Sequence, residues 1–198
     1  MSGNLKLTGK LHITAKKMLR RVCGILDNNK IPYVLEGGTL LGLVRENRLL
    51  PWDNDLDLTI IEQDMDGVLN LRRKFWWAGY KIRPRKSKKK MTHFPIGSIR
   101  LLKIKKKKYI FASGVGLMDI FVKKKIDDKY YWIVGPHDHV LKSVPSYFYE
   151  NLTRYNFEGY DYSVPADYED YLTYRYGEWR KTVKDYDYKK DDNSIVET

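Results

Sequence analysis

EGGTLLGLVRENRLLPWDNDLDLTI, Glu36 to Ile60, decides how this chain is read, because it joins a double glycine to three alternating aspartates. Tyr33, Val34 and Leu35 are strand formers that run into Gly37 and Gly38, a pair that allows positive φ and close backbone approach. Thr39 then suits the N-cap of a short helix in which Leu40, Leu43 and Val44 lie three and four apart. A helix start behind a Gly-Gly turn presents unpaired N–H groups, which favour a bound phosphate. The helix ends before Pro51, and a second extended segment follows. Side chains two apart share a strand face, so Asp53, Asp55 and Asp57 project one way and Asn54, Leu56 and Leu58 the other.

The apolar side of that strand can enter a core and the acidic side cannot. Successive carboxylates on one face stand roughly 7 Å apart, and crowded like charges raise one another's pKa unless a cation or solvent relieves them. Hard divalent cations such as Mg²⁺ take carboxylate oxygens and keep positions open for substrate phosphates. The competing reading is a solvated edge strand whose charges block aggregation. A further carboxylate lies in GVGLMDIFVKKK, Gly114 to Lys125, where Asp119 sits in a strand that is otherwise apolar on both faces. An unpaired charge there is costly. Metal coordination would remove the penalty, and so would a buried Lys or Arg.

The composition sets outer limits. At 198 residues and 42% hydrophobic content, the chain can bury one sizeable core. A net charge of +12 and a pI near 9.5 favour phosphorylated or polyanionic partners, or a membrane surface. The single Cys23 excludes an intrachain disulfide and a Cys-rich zinc site, and fits a reducing, cytoplasmic compartment. No signal-peptide core and no apolar run of spanning length is seen, so the sequence reads as a soluble protein with no transmembrane segment.

Around the central segment, Leu11 to Asn29 reads as an amphipathic helix with Cys23 near its apolar stripe, and Gln63 to Ala78 as a second helix with Met65, Val68, Leu69 and Trp76 inward. Tyr80 to Arg83 reads as a strand. The basic runs KSKKK and KIKKKK flank a hairpin of Ser98 to Ile104 with Lys108 to Ser113, and Lys123 to Lys125 forms a third run. These runs suit either a positive funnel for an anionic substrate or ordinary solvation. His137 and His139 are a weak metal signal. Tyr155 to Val164 reads as a strand and Asp167 to Tyr176 as a helix, whose tyrosines pack more readily than they bind a ligand. Residues 184–198 read as a polar, frayed tail after a single domain, 1–183.

The order GG(S/T), apolar helix and alternating aspartates resembles the nucleotidyltransferase superfamily, and GGTLLGLVRENRLLPWDNDLDL is similar to the LicD/fukutin family within it. VPADYEDYLTYRYGEW is similar to that family's C-terminal segment, so the resemblance extends to about Trp179. It implies an α+β fold, a nucleotidyltransferase-like mixed β-sheet flanked by helices, here with a basic β-hairpin extension. It also implies a metal-dependent transferase that moves phosphocholine, phosphoribitol or a similar group from a CDP-linked donor to a hydroxyl of a glycan or glycoconjugate acceptor, releasing CMP. Asp55, Asp57 and Asp119 would hold Mg²⁺ or Mn²⁺, with Asp119 as a possible proton acceptor. Gly37, Gly38 and Thr39 would cradle phosphates, Arg45 would balance charge on the leaving nucleotide, Asp53 would stand behind the metal, and Trp52 would wall the pocket or anchor the strand. The lack of a cysteine cluster and of a membrane anchor departs from some members. Two alternatives remain: a nucleotidyltransferase passing NMP from an NTP to a sugar, protein or RNA, and a non-catalytic basic RNA-binding module.

Overall fold

The computed structural model describes residues 6–107, 113–183 and 185–198. The chain opens with α1 (Gly9–Asn28), whose buried residues Ala15, Met18, Leu19, Val22, Cys23 and Leu26 recur at helical spacing. The Cys23 thiol is fully enclosed and burial raises its pKa, which suits packing rather than nucleophilic chemistry. β1 (Val34–Leu35), α2 (Gly37–Glu46) and β2 (Leu56–Ile61) follow. A 3-10 turn, Glu62–Asp64, then leads to α3 (Met65–Asn70) and α4 (Arg72–Trp77). The single helix expected over Gln63 to Ala78 is therefore divided at Leu71. Val68, Leu71 and Phe75 face the core, Met65 and Leu69 pack at its margin, Trp76, expected inward, is only partly buried, and Trp77 is 78% exposed.

The rest of the chain is mostly strand: β3 (Tyr80–Lys86), β4 (Ile99–Lys107), β5 (Ser113–Ile126), β6 (Lys129–Val134) and β7 (Val140–Pro145). A short α5 (Tyr147–Glu150), the pair β8 (Leu152–Phe157) and β9 (Tyr160–Pro165), α6 (Tyr168–Tyr176) and β10 (Ile195–Glu197) complete it. β5 is the spine of an eight-stranded mixed sheet. It pairs antiparallel with β4, parallel with β2 and, at its far end, antiparallel with β6. The expected basic hairpin exists as β3 against β4 and β4 against β5. The residues 108–112 of its predicted second strand lie outside the described residues, and Ser113 begins β5.

The period of two along β2, β4 and β5 places the site. Leu56, Leu58 and Ile60 stand beside Met118, Ile120 and Val122, and Leu102 and Ile104 continue that row, all but fully buried. Each such side chain contributes about 1.5–3 kcal/mol by leaving water, so the register is held firmly and the intervening residues are committed to the opposite face.

Two segments depart from expectation. The predicted strand over Tyr155 to Val164 is the hairpin β8–β9, turned by Glu158 at φ 49 and Gly159 at φ 73, a pair of positive values that suits a two-residue turn. The frayed ending expected for 184–198 is corrected over the described residues 185–198, where Asp192 and Ser194 are buried, the Asn193 N–H donates to the Arg175 carbonyl at 3.0 Å, and β10 pairs with β7. Its polar composition concealed an internal role: the Asp192 carboxylate accepts from Arg175 Nη2 at 2.6 Å and Lys142 Nζ at 2.7 Å.

This burial has a pH consequence. Burial would raise the Asp192 and Glu36 carboxyls, but the cations facing them win and hold both well below the ordinary range. A depressed carboxyl stabilises the fold above its unfolded pKa, about 4, and loses that contribution as pH falls through the folded value. Unfolding free energy should therefore fall steeply below about pH 4, as denaturant titration across that range will show.

Candidate active site

The start of α2 is stitched to β2. Glu36, not Thr39, is the N-cap: its side chain accepts from the Gly37 N–H at 3.3 Å. Thr39 lies buried in the first turn, where its hydroxyl accepts from the Asp57 N–H at 2.9 Å, and the Glu36 N–H donates to the Asp57 carbonyl at 3.0 Å. The double glycine is needed here because the carboxylates press against it. Gly37 has φ +55, and a methyl added to it would come 2.5 Å from Asp57 Oδ2. One added to Gly38 would come 2.0 Å from Asp53 Oδ2. The carboxylates of Asp53 and Asp57 thus lie at the helix start expected to seat a phosphate.

Gly42 marks the other end of this close approach. In a helix interior Gly→Ala ordinarily stabilises by roughly 0.5–1 kcal/mol. At this position the new methyl would meet the Arg48 carbonyl at 2.6 Å, and a backbone atom cannot swing aside. Gly42→Ala should reverse the sign and destabilise by about 1–3 kcal/mol, measurable by chemical denaturation.

β2 begins at Leu56, so the extended run of alternating aspartates is shorter than expected. Asp57 is in the strand, Asp55 is in the bend before it, and Asp53 is in a turn closed by its N–H donating to the Leu50 carbonyl at 3.1 Å. Asp119 in β5 is the direct register partner of Asp57, and Lys103 in β4 is the register partner of Asp119. The expected sharing of one face by Asp57 and Asp119 follows from this parallel pairing. Lys103 was missed in the sequence, although LLKIK alternates apolar and basic residues. Its Nζ donates to Asp119 Oδ2 at 2.9 Å and lies 2.7 Å from Oδ1. That second approach lacks hydrogen-bond geometry, so Oδ1 is buried with no hydrogen bond. Of the two remedies expected for a charged Asp119, the structure therefore contains the lysine. Among the described residues no three His, Cys, Asp or Glu side chains come together as a ready ligand set.

Negative charge at the site is nevertheless undercompensated. Burial, with Asp119 and Asp53 nearby, pushes Asp55 up to about 7. Burial and then the charges of Asp55, Asp53 and Asp119 raise Asp57 well above the ordinary range, and burial raises Asp53. Half-buried carboxylates that repel one another fit the hard-oxygen preference of Mg²⁺ or Mn²⁺. Arg45 is committed elsewhere: it donates to Glu46 Oε1 through Nη2 at 2.7 Å and to the Trp179 carbonyl at 3.3 Å. Its guanidinium carbon lies 5.9 Å from the ring centre of Trp52, which is 48% exposed. His139 has a backbone role, with Nδ1 3.0 Å from the Gly135 carbonyl and Nε2 accepting from the Lys88 N–H at 3.1 Å.

Glu36 is the residue the sequence concealed best. Its carboxylate is buried and receives Lys123 Nζ at 2.7 Å, Tyr149 at 2.7 Å, Thr59 at 2.9 Å, and Tyr171 and Arg175 at 2.5 Å. Tyr171 is thus a packing tyrosine. Arg175 also joins Asp192, so a chain of buried charges runs from the foot of α2 to the C-terminal strand. The only legible hint was an acidic residue immediately before Gly37, where an N-cap is wanted.

Comparison with known proteins bears on this arrangement. The family model described as LicD/FKTN/FKRP, nucleotidyltransferase domain, matches residues 30–167, a span that holds both the glycine turn and Asp119. An uncharacterized protein of Rickettsia typhi is 27% identical over 183 residues, covering 89% of this chain and 50% of its own. An uncharacterized protein of Rickettsia prowazekii is 25% identical over 178 residues, covering 89% and 59%. The chain thus spans about half the length of these curated relatives. A ribitol 5-phosphate transferase FKRP of Homo sapiens is 40% identical over 57 residues, 29% of this chain and 12% of that protein. With more than half of its length matched, and with the expected mixed sheet carrying Asp57 beside Asp119, this chain belongs to the LicD/FKTN/FKRP family of nucleotidyltransferase domains.

Proposed function

We propose that the protein is a divalent-metal-dependent transferase that moves a phospho-substituent, such as phosphoribitol or phosphocholine, from a CDP-activated donor to a glycan hydroxyl and releases CMP. The observation that carries this reading is the register pairing of Asp57 with Asp119, with Asp57 and Asp53 seated against the glycine start of α2 and Asp55 close enough to feel the charges of Asp119 and Asp53, in a chain of this family. The partial likeness to a ribitol 5-phosphate transferase supports the class of group moved.

In this reading Asp55 and Asp57 hold Mg²⁺ or Mn²⁺, which would supply charge stabilisation to the attacking and leaving oxygens. Gly37 and Gly38 let the Asp57 and Asp53 carboxylates pack against the start of α2, which gathers the acidic groups that face the donor phosphates through the metal. Thr39 fixes the distance between α2 and β2 through the Asp57 N–H. Asp119, held in place by Lys103, accepts the proton of the attacking hydroxyl. Arg45, held against Glu46, sets a positive edge beside Trp52 for the leaving nucleotide. The donor is read out by nucleotide release: CDP-ribitol, CDP-choline, CDP-glycerol and the common NTPs are each offered with Mg²⁺. CMP from a CDP-linked donor is the expected product, and pyrophosphate release from an NTP in its place would move the assignment to NMP transfer.

A further inference from the structure

Across four neighbouring strands one register line reads Asp57, Asp119, Lys103, Arg83, from β2 through β5 and β4 to β3. On the carboxylate side of that line stand Asp53, Asp55, Asp57 and Asp119, and Lys103 is the cation that enters among them, with its side chain 19% exposed and that of Asp119 12%. Arg45 cannot serve the same purpose, because both ends of its guanidinium are taken by Glu46 and the Trp179 carbonyl. Directly opposed residues of an antiparallel pair stand about 4.5–5.5 Å apart, so the ammonium reaches the carboxylate from its own strand without distorting the sheet.

A surface ion pair would be a sufficient account if Asp119 stood alone. It does not: it is the register partner of Asp57, and the lysine ammonium lies within 2.9 Å of both its oxygens. The ammonium therefore takes the place beside Asp119 that a second cation would need. From this we infer that Lys103 is the fixed second cation of the site, so that the chain binds a single divalent ion, at Asp55 and Asp57, and keeps a lysine where a two-metal site would place its other ion. This inference rests on the proposed metal-dependent reading.

Lys103 is then a positioning residue. It holds Asp119 in place before a substrate arrives, and it supplies one positive charge where a divalent ion would supply two. Its test is Mn²⁺ binding to the full chain, followed by calorimetry and by the spin-resonance signal of free Mn²⁺, with thermal unfolding alongside. Wild type should bind one Mn²⁺. Lys103→Met should bind two, unfold at a lower temperature than wild type in chelator, and recover as Mn²⁺ is added, because ligand binding to the folded state adds stability. Lys103→Arg, which retains a cation, should keep one ion. Two ions in wild type, or an unchanged count in Lys103→Met, would overturn the inference while leaving the metal reading in place. If no Mn²⁺ binds wild type, or if Asp55→Asn binds it as well as wild type, the metal reading itself fails. Should Lys103→Met not fold, the wild-type and Lys103→Arg counts decide the matter alone.

Discussion

Asp57→Asn is expected to lower metal-dependent release of CMP by roughly a thousand-fold or more, the equivalent of about 4 kcal/mol in the transition state. Asn preserves shape and the Asp57 backbone link to Thr39, while removing the charge that a divalent ion requires. Asp55→Asn should behave alike. Neither change should unfold the protein. Without a divalent ion the opposite is expected, because Asp55 and Asp57 carry raised pKa values and bind protons more tightly folded than unfolded. A raised carboxyl loses its contribution as pH rises through the folded value, here about 7 for Asp55, so the metal-free wild type should be less stable at about pH 8 than at pH 5. The two Asn variants should flatten that slope. Initial rates with Mg²⁺ and melting curves in chelator test both halves, and wild-type turnover in both variants would sink the assignment.

The second large effect concerns Glu36. Glu36→Gln should destabilise the fold by about 3–5 kcal/mol, since removing one member of a buried ion pair leaves its partner charged and unpaired. For a chain of this size that is a fall of roughly 6–20 °C in melting temperature. The change leaves Arg175 with Asp192 but leaves the Lys123 ammonium without an anion, 3.7 Å above the ring of Trp132. Adding Lys123→Met to Glu36→Gln should recover part of the loss, and the coupling read from the double-mutant cycle should exceed about 1 kcal/mol. If the two single changes simply add, the network is not cooperative. Because Glu36 caps α2 and the glycine turn follows it directly, the single variant should also lose activity in proportion to folded fraction and beyond.

How far the sequence could be read differs from element to element. The helix at α1, the α2–β2 unit and the strand carrying Asp119 were legible because each is a local pattern. Apolar residues recur every three or four positions in α1, a glycine pair opens α2, alternation along LDLTI sets Asp57 opposite the buried row of Leu56, Leu58 and Ile60, and LMDIFV is an apolar strand with one acid in it. The split of the second helix at Leu71 was not legible, since both halves keep helical spacing. The turn at Glu158–Gly159 offered a glycine, but the aromatic run around it reads equally well as one strand.

The pairing of charges is where reading along the chain stops. Asp119 looked like an acid awaiting a metal or a basic partner, and only the antiparallel register of β4 on β5 set Lys103 against it. Asp192 looked like part of a polar tail until Arg175 and Lys142 enclosed it, and nothing along the chain singled out Glu36, on which four elements converge. Periodicity is a property of neighbours in sequence, so it fixes which face a side chain takes. Compensation of a buried charge depends on residues 16 to 139 positions away in sequence, and only folding brings those side chains within reach.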